Sequence, residues 1–130
     1  MPALKTYIVE DSPVIRENLI ATLEEMAPVT VVGSAADEAG AREWLASDGN
    51  TCDVVIIDIF LRKGSGLGVL QALQQKPKRC KRLVLSNFAT PDIRNRCLAL
   101  GADGVFDKSH EIDALIAYCQ QLADERGAPQ

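Results

Sequence analysis

Four consecutive β-branched residues, Val54, Val55, Ile56 and Ile57, stand between Asp53 and Asp58, and this run restricts the possible folds more than any other stretch of the chain. An unbroken apolar run of this kind reads as a strand buried on both faces, the pattern of a parallel sheet held between two layers of helix. Asp58 then marks the point where the strand leaves the core. In open α/β sheets the ligand crevice lies at the carboxyl ends of the strands, so a carboxylate there has a chemical meaning it would lack elsewhere. Any strand can exit through a polar residue, however, and the weight of Asp58 depends on what stands at the other strand ends.

Leu4–Val9 reads as a first strand that stops at two adjacent acids, Glu10 and Asp11. Ser12 and Pro13 then start a helix with Ile15, Leu19, Leu23 and Met26 at helical spacing, ending near Pro28. Residues 29–35 form a second strand and 36–46 a second helix, joined by a turn-rich stretch, 47–51, to the central strand. The segment 59–68 carries Gly64, Gly66 and Gly68, which predicts a mobile or tightly turned loop before a helix bearing Leu67, Leu70 and Leu73. A fourth strand, 83–85, ends at Ser86, and Thr90 with Pro91 caps a helix that closes at Leu100 and Gly101. Val105 and Phe106 belong to a fifth strand stopping at Asp107 and Lys108, with Ser109 capping a last helix through Ile112, Leu115, Ile116, Cys119 and Leu122. Five alternations of strand and helix predict a doubly wound α/β fold with a parallel sheet and right-handed crossovers.

At 130 residues, 47% of them hydrophobic, the chain suits one domain, 1–126, followed by a frayed tail or the start of a linker at 127–130. Cys52, Cys80, Cys97 and Cys119 form no C-x-x-C pair, which points to buried thiols in a reducing cytosol rather than to zinc or a disulfide framework. The amino terminus lacks the regions of a signal peptide, and no apolar run approaches the ~18 residues needed to span a bilayer, so a cytoplasmic protein without membrane contact is expected. A net charge of −4 argues against direct nucleic-acid binding. The local exception is the run Lys76, Lys78, Arg79, Lys81 and Arg82, read as a solvated turn at the amino ends of the strands in preference to a nucleic-acid patch.

Side by side, the first, third, fourth and fifth strands would bring Glu10, Asp11, Asp58, Ser86 and Lys108 to one edge. Three carboxylates about 5 Å apart repel by roughly 3 kcal/mol per pair at an effective dielectric near 20, or ~10 kcal/mol together, which rivals the stability of a whole domain. A proton or cation must relieve this, and an all-oxygen set selects a hard ion such as Mg²⁺. Beside that ion Asp58 is the natural nucleophile toward phosphorus, with the Ser86 hydroxyl and the Lys108 ammonium available for the other phosphoryl oxygens.

These motifs together (the acidic pair Glu10 and Asp11, Asp58 ending an apolar strand, Gly66 eight residues on, the Ser86 hydroxyl, and Lys108 after Gly101–Gly104) resemble the response-regulator receiver domains of two-component signalling, over residues 4 to about 124. The resemblance implies a flavodoxin-like, doubly wound five-stranded parallel sheet of order 2-1-3-4-5 with five helices. It also implies Mg²⁺ held by Asp11, Asp58 and the backbone carbonyl of Phe60, with Glu10 acting through water. Function would be that of a switch: Asp58 accepts a phosphoryl group from a sensor histidine kinase or a phosphotransfer protein, and affinity for a downstream protein partner or an output domain changes. Such a domain catalyses only its own phosphoryl transfer and dephosphorylation. Three departures stand out: Arg62 and Ser109 replace prolines usual in the family, and Val105 replaces the usual switching Tyr or Phe. A cis Lys108–Ser109 bond without proline would cost roughly 3 kcal/mol, so trans is expected. Phe60 and Phe88, each two residues past a site residue, are expected to overhang the phosphoryl group. The alternatives are a receiver taken from a longer DNA-binding regulator, a Mg²⁺-dependent aspartyl-phosphate phosphatase, and a nucleotide or flavin module. The phosphatase would need a second Asp where Phe60 stands, and the nucleotide module would need a glycine-rich phosphate loop after the first strand.

Overall fold

The computed structural model describes residues 3–76, 80–87 and 89–127. Strands β1 (Leu4–Val9), β2 (Val29–Ala35), β3 (Val54–Ile57), β4 (Lys81–Ser86) and β5 (Gly104–Asp107) alternate with helices α1 (Pro13–Met26), α2 (Glu38–Ala46), α3 (Gly66–Gln74), α4 (Pro91–Ala99) and α5 (Ile112–Gly127). The strands form one sheet of order β2-β1-β3-β4-β5, parallel throughout. All four residues of β3 are buried, as a central strand requires. Side-chain alternation divides the core in two. Ile8, Val54, Ile56, Leu83 and Leu85 pack on the side of Leu19, Leu23, Leu115 and Cys119 from α1 and α5. Tyr7, Val9, Val55, Ile57, Val84 and Val105 pack on the side of Ala41, Leu70 and Cys97 from α2, α3 and α4. On that second side the buried Tyr7 ring stacks on Trp44, with centroids 4.0 Å apart and planes 15° from parallel. Phe106 points to the opposite side and meets Tyr118 edge-on at 6.1 Å.

Several boundaries differ from the sequence expectation. The loop after Asp58 is shorter than 59–68, because Ser65 caps α3 by accepting the Leu67 N–H at 3.0 Å and the helix begins at Gly66. Of the three glycines, Gly64 takes the left-handed region with φ +81°. Gly66 is required for a different reason: a Cβ there would lie 2.2 Å from the Asp58 carbonyl oxygen. Ser109 does not cap α5. Its N–H donates to Asp107 Oδ1 at 2.7 Å, the Glu111 N–H donates to the Asp107 carbonyl at 2.8 Å, and the helix starts three residues later than Ser109 at Ile112. At its other end α5 reaches Gly127, which the sequence reading gave to the tail. The Lys108–Ser109 bond is trans, and no described peptide bond is cis.

The basic run is only in part a solvated turn. Strand β4 begins at Lys81, and Arg82 is a buried strand residue, 4% exposed, whose Nη2 donates to the Leu73 carbonyl at 2.9 Å. Pro77, Lys78, Arg79, Phe88 and the tail residues 128–130 lie outside the described residues. On the far edge Arg94 of α4 makes three bonds. Its Nε donates to the Ala89 carbonyl and its Nη1 to the Val105 carbonyl, both at 2.9 Å, while Nη2 pairs with the Glu111 carboxylate. Among the described residues no helix is long and apolar enough to cross a membrane.

Candidate functional site

The strand ladders run on past the strand ends and fix where the polar residues stand. The Glu10 N–H donates to Ala35, the Asp58 N–H to Val9 and the Lys108 N–H to Ser86, each to the carbonyl at 2.9 Å. The segments that follow β1 and β3 are thereby aligned so that Glu10, Asp11 and Asp58 each place a carboxylate oxygen within 4.8 Å of the others. They line a pocket of about 130 Å³ whose wall also includes Phe60, Asn87 and Lys108. Glu10 and Asp58 are buried, 2% and 7% exposed.

Lys108 reaches into this cluster and donates from Nζ to Asp58 Oδ2 at 2.9 Å and to Glu10 Oε1. Burial works against the ammonium charge, but the hydrogen bonds to Glu10 and Asp58 outweigh it and hold Lys108 above the usual lysine range. At an effective dielectric near 20, the 2.9 Å pair contributes about 6 kcal/mol of attraction, and Asp58 repels each of the other two carboxylates, whose oxygens lie within 4.8 Å, by at least about 3.5 kcal/mol. The two effects nearly cancel at Asp58. The cation that the sequence argument demanded is thus supplied in part by the chain itself.

Backbone amides hold one further oxygen of each acid. Asp58 Oδ1 accepts the Phe60 N–H at 3.2 Å, Glu10 Oε2 the Ser12 N–H at 3.0 Å, and Asp11 Oδ2 the Arg62 N–H at 2.8 Å. Arg62 therefore donates a backbone bond that a proline at this position would lack. Its guanidinium lies 3.9 Å from the same Asp11 oxygen but is mostly exposed, so it adds little. Phe60 lines the pocket and is 48% exposed. Ser86 ends β4, is fully buried and pairs in register with Asp107, and the pocket is walled beside it by Asn87. The sequence reading did not place Asn87, Ser12 or Ile15 in the site; adjacency to Ser86 and to Asp11 was the available signal for the first two. With oxygen donors alone and no His or Cys, the set fits a hard divalent cation.

Comparison with known proteins agrees with this geometry. The response regulator receiver domain family matches residues 6–120. A transcriptional regulatory protein of Bacillus subtilis, YvfU, is 31% identical over 112 residues, which cover 86% of this chain and 55% of that protein. The receiver domain of the Francisella response regulator 1452 superposes with a TM-score of 0.81 at 22% identity, covering 95% of this chain and 98% of that one. A response regulator of Burkholderia pseudomallei, solved with a phosphorylated aspartic acid, a calcium ion and citrate, superposes with a TM-score of 0.76 at 22% identity over 95% of this chain and 71% of that one. The chain spans between 13% and 55% of the length of the curated relatives set beside it. A family match over this span, on the fold and acidic strand ends described above, means that the chain belongs to the response regulator receiver domain family.

Proposed function

We propose that Asp58 accepts a phosphoryl group from a phosphohistidine of a sensor histidine kinase or phosphotransfer protein, in a step assisted by Mg²⁺. The observation that carries this is the Lys108 ammonium joined to both Asp58 and Glu10 within the acidic pocket. An Asp58 carboxylate oxygen attacks phosphorus, the phosphorus–nitrogen bond breaks, and the imidazole leaves with the electron pair and regains a proton. Lys108 stays beside the acceptor to balance charge on the transferred oxygens, and the buried Ser86 hydroxyl at the end of β4 is the group we assign to a further one. Asp11, Asp58 and the Phe60 carbonyl would hold Mg²⁺, with Glu10 acting through water, and the ion would neutralise charge on the phosphoryl oxygens. Residues 1–126 form the receiver domain, which performs no catalysis beyond its own phosphoryl transfer and dephosphorylation and works in the cytoplasm.

The output is a changed affinity for a protein partner, without direct nucleic-acid or membrane contact by this domain. Partial coverage of relatives that include transcriptional regulators supports a second reading, in which the partner is a DNA-binding output domain on the same polypeptide. Incubation with acetyl phosphate and Mg²⁺ followed by intact mass should show one acid-labile phosphoryl group, lost in Asp58→Asn. Equal labelling of that variant refutes the acceptor assignment.

A further inference from the structure

At the pole of the sheet opposite the acidic pocket, two cysteines far apart in sequence come together. Cys52 precedes β3, Cys80 precedes β4, and both side chains pack on the same side of the sheet, with α2, α3 and α4, where they line one depression. The ladder continues below the strands, with the Asp53 N–H donating to Lys5 at 2.6 Å and the Lys81 N–H to Asp53 at 2.9 Å. Strands about 4.8 Å apart with a rise of about 3.3 Å put the two Cα atoms roughly 6 Å apart, inside the span a disulfide bridges. Both thiols are half-buried and open onto a depression of about 580 Å³ that also contains Trp44, Asp53 and Arg82. A metal site is not favoured, because no third His, Cys, Asp or Glu joins them in a cluster among the described residues.

Their surroundings make the two thiols unequal. The neighbouring Cys52 thiol holds the Cys80 thiol down at about 6; burial and Asp103 oppose this, and the Arg82 guanidinium supports it. Arg82 Nε is buried with no hydrogen-bond partner among the described residues, which leaves a donor for a neighbouring thiolate. Cys52 is pushed up by the neighbouring Cys80 thiol, by burial, and by the charges of Cys80 and Asp53. One sulfur is thus a nucleophile at neutral pH and the other its resolving partner.

We propose that Cys52 and Cys80 form a peroxide-oxidisable dithiol that closes to an intrachain disulfide between β3 and β4. The Cys80 thiolate attacks an oxygen of hydrogen peroxide; the O–O bond breaks, and the departing hydroxide takes a proton to become water, leaving a sulfenic acid. The Cys52 sulfur then attacks the Cys80 sulfur; the S–S bond forms, the S–O bond breaks, and the Cys52 proton goes to the departing hydroxide as a second water. The two sulfurs together lose two electrons to one peroxide, and a small reducing thiol reverses the change.

The test uses the whole chain with one equivalent of hydrogen peroxide at pH 7, followed by iodoacetamide and mass spectrometry. The expected result is a loss of two hydrogens, two thiols withdrawn from alkylation and a Cys52–Cys80 crosslinked peptide. Without peroxide, Cys80 should alkylate at least about tenfold faster than Cys52. Cys52→Ser should stop at a Cys80 sulfenic acid that dimedone traps, and Cys80→Ser should leave Cys52 unoxidised. A crosslink through Cys97 or Cys119, a disulfide between two chains, or wild-type oxidation that ends at Cys80 without a crosslink overturns the proposal.

Discussion

Replacing Gly66 by alanine tests whether the contact between α3 and the acceptor's backbone sets the site. The new Cβ would lie 2.2 Å from the Asp58 carbonyl oxygen and 2.8 Å from both Ile57 Cγ2 and Ile59 Cα, where ordinary contact starts at 3.4 Å. Two of these neighbours are backbone atoms of the segment that carries Asp58, so the carbonyl oxygen must retreat by about 1.2 Å and Ile59 Cα by about 0.6 Å. Overpacking of this kind costs about 3 kcal/mol, and alanine in the first turn of a helix recovers at most about 1 kcal/mol. A net loss of about 2 kcal/mol, with an unfolding entropy of about 2.1 cal/mol/K per residue, lowers Tm by about 7 °C. Gly68→Ala is the control. Its Cβ would meet the Glu38 carboxylate at 2.4 Å, the far end of a flexible side chain. Glu38 would give up its bond from the Ser65 N–H, about 1 kcal/mol, and alanine inside the helix returns a similar amount. Thermal unfolding by circular dichroism and the initial rate of labelling by acetyl phosphate should separate the variants. Gly66→Ala should melt lower and label at least about tenfold more slowly, while Gly68→Ala stays near wild type in both. Equal melting of the two variants refutes the reasoning.

Asp58→Asn should leave the metal-free Tm within a few degrees of wild type, since lost attraction to Lys108 and relieved repulsion from Glu10 and Asp11 nearly cancel, while Mg²⁺ affinity measured by calorimetry falls. Burial, assisted by Cys52 and Asp37, raises the Tyr7 phenol from 10.0 to about 12. Because the folded value is the higher, the stability it contributes is complete below pH 10 and lost as pH rises toward 12. A Tyr7→Phe variant should therefore resist alkaline unfolding better than wild type over that window, and identical pH-melting curves would count against it. With beryllofluoride as phosphoryl mimic, Ser86→Ala should lose the change in partner affinity, whereas Val105→Ala should cost about 2 kcal/mol of stability and keep it. The reverse pattern sinks that assignment.

What could be read from the sequence was whatever depends on neighbours along the chain. The Val54–Ile57 run, the acids closing β1 and β3, and the proline-capped starts of α1 and α4 all express local preferences, and all lie where expected. One error was local: Ser109 looks like a helix cap, yet Asp107, two residues earlier, holds that turn with its own carboxylate and carbonyl. The others arose where a distant residue decides. Arg82 reads as one more charge in a basic run, yet it is buried because Leu73 of α3 offers a carbonyl. Convergence of the acids followed from strand order. Neutralisation by Lys108 did not, because it depends on a side chain crossing from β5 to β3 and β1. The Cys52–Cys80 contact was hidden for the same reason, since strand pairing and not spacing in sequence creates it.

Arg94 has a mechanical consequence for how this chain signals. A guanidinium is flat and stiff, and here its three donors engage the segment after β4 at Ala89, the edge strand at Val105 and the entry to α5 at Glu111. Motion of Ala89 that keeps its bond must tilt the plate and is felt at Val105 and Glu111, so a single side chain couples the segment after β4 to the edge strand and to the entry of α5.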